Sequence, residues 1–169
     1  MSLTIPASVP VEGTRRVYHL PTVADINAIK VTEFAAGTFI GCYVTSSGWQ
    51  PSQDQGTIND GRLCSSVDFE RPGRKTKTLA LQYTFNLADA DEDEARLALA
   101  EGTTGILVNV LQKDEEDDDV AVDDWYEAWP VQSGEQVVMP AETNAVDRIQ
   151  QKQFVRGKPV HFKQVVAGS

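Results

Sequence analysis

Two runs of carboxylates dominate the side-chain chemistry of this sequence, DEDE at 91–94 and KDEEDDD at 113–119. Carboxylates at this density bind hard cations, start helices or repel other anions. Calcium takes about six to eight oxygens, offered in an EF-hand at fixed spacing around a turn glycine. Neither run has that spacing, and a helix start and a solvated loop account for the acids equally well. The two histidines, His19 and His161, stand beside aliphatic or aromatic residues and read as hydrogen-bonded structural side chains rather than general bases. HExxH, GxSxG, Walker A and GxGxxG patterns are absent, and Gly157-Lys158-Pro159 lacks the upstream glycines of a phosphate loop. The expectation is a protein that is not an enzyme, with no catalytic, cofactor-binding or metal-binding residues.

Three other features carry chemistry of a different kind. RPGRKTK at 71–77 brings Arg71, Arg74, Lys75 and Lys77 into seven residues. Such a run suits a solvated turn, a counter-charge for an acidic surface on a neighbouring subunit, or a nucleic-acid patch. Trp49 lies in a polar stretch, where it is either pinned to its own domain or an anchor for a partner. Cys42 and Cys64 have no CxxC spacing and read as buried free thiols, or as a bridge if their strands are adjacent.

The elements that must position these groups are mostly strands. Residues 76–85 (TKTLALQYTF) alternate, with Leu79, Leu81, Tyr83 and Phe85 on one face, as in a half-buried strand. Asp89 stands as an N-cap with Glu92 three residues on, predicting a helix with Asp91–Glu94 in its first turn and Gly102 as its stop. GILVNVL at 105–111 is apolar on both faces and predicts a central strand. A third strand over 122–131 carries Trp125 and Trp129 on one face.

Further strands are expected at 15–20, at 38–45 and at 136–139 after a Ser133-Gly134 turn. A closing pair at 145–156 and 159–167 is joined at Gly157-Lys158. One helical turn is expected at 32–36. Residues 1–14 read as an extended arm. The stretch 46–62 is poor in apolar residues and too long for an ordinary connection, so 46–75 reads as a long loop, mobile in the free subunit.

At 169 residues, one domain with a sizeable core is expected. No stretch approaches the ~20 apolar residues of a membrane span, and no export signal pattern opens the chain. Charge is uneven. Residues 89–127 hold 15 acids and 2 bases, net −13, against 10 acids and 13 bases elsewhere, net +3; together they make the chain's −10. An acidic chain is a poor match for nucleic-acid binding, which needs clustered Lys and Arg.

RRVYHLPTVADINA, GCYVTSSGW, DGRLCSSVDFERPGRKTKTLALQYTFN, EGTTGILV and QKQFVRGKPVHFKQVVA together resemble the major tail tube proteins of long-tailed bacteriophages, of the siphovirus type that infects actinobacteria. The resemblance spans nearly the whole chain as a pattern of strands and turns, and KDEEDDD has no counterpart in it. It implies a mainly β fold, a β-sandwich or small barrel with one flanking α-helix and a long inter-ring loop over 46–75. Copies would close into hexameric rings stacked around a tape-measure protein, joined by tail-terminator and baseplate proteins. DNA would pass through without specific binding, and no membrane is involved. The location implied is the virion tail, assembled in the host bacterial cytoplasm.

On that reading Trp49, Arg71, Arg74, Lys75 and Lys77 face neighbouring subunits. Asp114, Glu115, Glu116, Asp117, Asp118 and Asp119 form an acidic surface or line the lumen. Alternatives are a tail terminator or contractile-system tube subunit of the same fold, a small acidic ligand-binding β-barrel, or a decoration module that binds another protein through Trp49.

Overall fold

A computed structural model describes residues 3–117 and 119–168. Eight strands form one antiparallel sheet: β1 (Arg16–Leu20), β2 (Thr38–Phe39), β3 (Val44–Asp60), β4 (Phe69–Thr84), β5 (Thr104–Leu111), β6 (Trp125–Val138), β7 (Arg148–Val155) and β8 (Val160–Gln164). Their order is β2-β1-β5-β6-β7-β4-β3, with β8 also on β6. The protein is mainly β, as expected.

The sheet rolls over itself because β6 serves both halves. One edge of β6 pairs with β5 from Trp125 to Gln132. The other takes β8 near Tyr126 and β7 from Val131 onward. A bulge between Ser133 and Gln136 bends the strand there. Ser133-Gly134 is thus a bulge inside one strand rather than a turn between two, and 136–139 is its continuation.

β5 is covered on both faces, as its unbroken apolar run requires. Leu107 joins Val17, Trp129 and Val131 against Leu79, Leu81, Tyr83 and Ile149 from the overlying half. Val108 and Val110 pack with Leu20, Ile29, Phe34, Tyr126 and Val165 on the other side. The alternation of 76–85 is realised, with Leu79, Leu81 and Tyr83 buried.

Two short helices flank the sheet, α1 (Val31–Ala35) and α2 (Glu94–Ala98). The single acidic helix expected after Asp89 is broken. Asp89 does cap, accepting from Asp91 N at 3.0 Å, but only a 3-10 turn over Ala90–Glu92 follows. Asp93 then turns its carboxylate inward, to the Asn86 amide and the Arg96 guanidinium, so the helix restarts at Glu94. Gly102 ends the segment at φ +82°, as a C-terminal stop should.

Other expectations change. The 38–45 strand is interrupted by a turn at 41–43, leaving a two-residue β2. The closing strands do not pair with each other; β7 and β8 lie in succession along one edge of β6. Cys42 and Cys64 are free and exposed, not buried, since each lies in a connection rather than under the sheet. Of the expected loop, residues 46–60 are most of β3, which pairs with β4 as far as Asp60 and Phe69, and 61–68 are the connection at its tip. Backbone pairing builds this ribbon without any apolar pattern in its sequence.

Candidate assembly surface

Beyond Pro51 and Leu79, the last β4 residue paired with β7, the β3–β4 hairpin leaves the body and becomes an arm. Almost every side chain from 50 to 76 is exposed on both faces of the ribbon. At its far end Ile58, Leu63, Val67 and Phe69 are each more than half exposed. Apolar side chains grouped on a projecting element mark a surface that another molecule covers.

The basic run on this arm divides into three. Arg71 is neutralised within the ribbon, 2.9 Å from Asp60 Oδ2, and Arg62 flanks the same carboxylate at 2.8 Å. Arg74 and Lys75 are exposed. Lys77, at the arm's root, turns inward, its Nζ 3.0 Å from His161 Nε2 and over the Trp129 ring at 5.9 Å.

The acidic stretch also divides. Its first part, 89–101, holds six acids and one base and lies before the start of β5. Its second, 113–127, holds nine acids and one base and follows the end of β5. Eight residues of strand at ~3.4 Å each separate the two poles, so the −13 is not one surface. In the second pole Lys113 is buried beneath the loop and bonds Asp117 at 2.7 Å and Asp124 at 2.8 Å. Burial pulls its ammonium down, but these two carboxylates outweigh that and raise its pKa. The Lys113 hydrogen bond in turn lowers that of Asp117. Arg16 donates to the carbonyls of Asp114 and Glu115. Two cations thus hold the loop, Arg16 by its backbone and Lys113 by the Asp117 carboxylate, leaving the side chains of Asp114, Glu115, Glu116 and Asp119 exposed. Asp118 lies outside the described residues.

Trp49 is half-buried, and its Nε1–H donates to Glu127 Oε1 at 3.0 Å. Glu127, which pairs with Asn109 across β5 and β6, also accepts from Asn109 Nδ2 at 3.0 Å. Its other oxygen meets His161 Nδ1 at 3.1 Å. One carboxylate therefore ties β3, β5, β6 and β8 together, and through His161 it reaches Lys77 on β4. Sequence reasoning did not identify Glu127 or Asn109 as a hub. The available signal was Asn109 itself, a polar residue inside GILVNVL, which a buried strand tolerates only with a partner.

His161 is the hydrogen-bonded structural histidine that was expected. His19 differs: its buried Nε2 has no hydrogen-bond partner among the described residues, and burial lowers its pKa. Among the described residues, no three His, Cys, Asp or Glu side chains are grouped to hold a metal ion. No helix there is long and apolar enough to cross a membrane.

Comparison with known proteins agrees with this architecture. The sequence model of the family described as phage tail tube protein matches residues 2–168. No curated protein matches the chain. Among solved structures, a chain of the anti-feeding prophage baseplate, determined by cryo-EM with six-fold symmetrisation, has a similar fold. The TM-score is 0.53 at 9% identity, covering 94% of this chain and 98% of that one.

Proposed function

This chain belongs to the phage tail tube protein family, and from that membership we propose that its copies close into hexameric rings that stack into a tube around a tape-measure protein. It is a structural protein of the virion tail. In the proposed assembly, a siphovirus tail of an actinobacteriophage, the finished tube carries DNA at ejection without binding it specifically.

The observation that carries this reading is the arm. A two-stranded ribbon that buries neither face is marginal in water, and the apolar side chains at its far end leave it incomplete. In a polymer of one chain, the covering surface belongs to the next copy. A head-to-tail contact closes into a ring where its rotation closes and runs on as a stack where it does not. The arm reaches the adjacent ring, and Arg74 and Lys75 meet one of the two acidic poles there.

The charge fits a conduit. Six copies at −10 each carry −60 per ring. Whatever share faces the bore repels phosphates, within a Debye length of about 10 Å at 0.1 M salt.

Negative-stain electron microscopy of the concentrated protein tests the proposal. Smooth tubes with a regular axial repeat are the expected result. A single-chain, monodisperse particle at high concentration would overturn it. The fold shared with a baseplate chain supports a second reading, a ring component at one end of a tail. Single rings that never lengthen would favour that alternative.

A further inference from the structure

β4 stays paired with β7 as far as Leu79, opposite Pro51 of β3, and where the arm leaves that ladder two side chains brace its root, both leading to one carboxylate. On β3, Trp49 donates to Glu127 Oε1. On β4, Lys77 Nζ sits 3.0 Å from His161 Nε2, and His161 Nδ1 sits 3.1 Å from Glu127 Oε2. The chemistry of the partners assigns the imidazole hydrogens. An ionised carboxylate only accepts, so Nδ1 carries a hydrogen toward Glu127. An ammonium only donates, so Nε2 must present its lone pair to Lys77. This arrangement therefore requires a neutral imidazole with its hydrogen on Nδ1.

One added proton reverses half of it. With hydrogens on both nitrogens, His161 still donates to Glu127, but its Nε2–H now points at the N–H groups of Lys77. Two cations then face each other with no acceptor between them. Among the described residues, the charged groups bonded to the ring are Lys77 from β4 and Glu127 from β6. The other neighbours are neutral: Trp129, packed edge to face at 5.6 Å, with Trp49 of β3 and Asn109 of β5 on the far side of the carboxylate. The Glu127 side chain is 16% exposed and that of His161 34%, so solvent reaches the imidazole while the carboxylate stays sheltered.

We infer that His161 is a proton-sensitive latch at the root of the arm. Neutral, it fastens Lys77, and so the stretch of β4 just beyond its last pairing with β7, to Glu127. Protonated, it releases Lys77 while Trp49 still holds β3, and the arm loses its fixed angle to the body. The latch is a property of the single subunit. It rests on the tube reading only for its consequence, that acid weakens arm-mediated contacts between copies.

The chain's own cysteines supply the test. Cys42 lies on the turn before β3 and Cys64 in the connection at the arm's tip, and both are exposed. Spin labels on the two thiols report the arm-to-body distance in labelled protein diluted with unlabelled copies, without any substitution. The expected result is a narrow distance distribution at about pH 8 and one at least about twofold broader at about pH 5. Circular dichroism checks that the fold persists at both. Lys77→Met should be broad at both pH values, and His161→Gln should have the same width at both. A wild-type width that ignores pH overturns the latch, as does a His161→Gln variant that still broadens in acid. Nitrogen-15 NMR of the wild-type protein offers a check free of variants, since a neutral ring with its hydrogen on Nε2 contradicts the assignment. Imaging keeps the two proposals apart. Tubes built from subunits with a pH-independent arm sink the latch alone, and a pH-dependent arm without tubes sinks the tube alone.

Discussion

The indole N–H of Trp49 meets Glu127 Oε1 at 3.0 Å, across 78 positions of sequence. Trp49 lies two residues before the point where the ribbon leaves the sheet, and Glu127 is the carboxylate on which five strands converge. A side chain that suited a partner surface is thus also the fastening of the arm to its own domain.

Trp49→Phe keeps most of the apolar bulk and deletes the N–H. A hydrogen bond to a charged group contributes about 1.5–3 kcal/mol, so the subunit should lose about 2 kcal/mol in urea unfolding. A change below about 0.5 kcal/mol would mean that the contact does not form in solution.

Gln151 is buried in the roof of the core and uses both ends of its amide. Oε1 accepts from the Tyr83 hydroxyl at 2.9 Å and Gln153 Nε2 at 3.0 Å, and Nε2 donates to the carbonyls of Leu99 and Gly134 at 2.7 and 2.8 Å. Burial pushes the Tyr83 phenol up to about 12. Gln151→Leu strips partners from buried groups at about 1–3 kcal/mol each. The expected loss is about 3 kcal/mol in chemical denaturation, and a neutral or stabilising outcome would contradict the network.

Arg74 and Lys75 are exposed, so reversing both to glutamate should shift subunit stability by no more than about 0.5 kcal/mol. The concentration needed for tubes should rise at least about tenfold, as sedimentation would show. Unchanged polymerisation would remove these residues from the interface.

Backbone pairing between β3 and β4 is the arm's main support in the subunit. Amides of 50–76 should therefore exchange with solvent far faster than those of β5 in dispersed protein and slow by at least about tenfold in tubes. Equal protection in both states would place the arm outside the contact.

His19 predicts a slope of stability with pH. Its pKa is lowered from 6.5 by burial, so the unfolded chain takes up this proton more readily than the folded one. The stability it contributes is full above about pH 6.5 and falls as pH drops from there toward the folded value. Melting temperatures at about pH 7.5 and pH 5 should diverge less in His19→Gln than in the wild type. An equal divergence would assign the slope to other groups.

Much of the fold is legible locally. The alternation of Leu79, Leu81 and Tyr83, the two-faced apolarity of β5, the Asp89 cap and the Gly102 stop all follow from periods and dihedral preferences that act within a few residues. The family resemblance and the mainly β class were equally open to reading.

What the chain could not disclose by itself is where distant polar residues meet. Residues 46–62 carry no apolar pattern, because a ribbon held by backbone ladders needs none, so a strand passed for a loop. The acidic stretch looked like one surface, since only the length of β5 between its halves makes two poles. Glu127, His161 and Lys77 lie far apart in sequence, and each alone resembles a solvated side chain. Their convergence depends on how the sheet rolls about β6, a long-range pairing that no local propensity encodes.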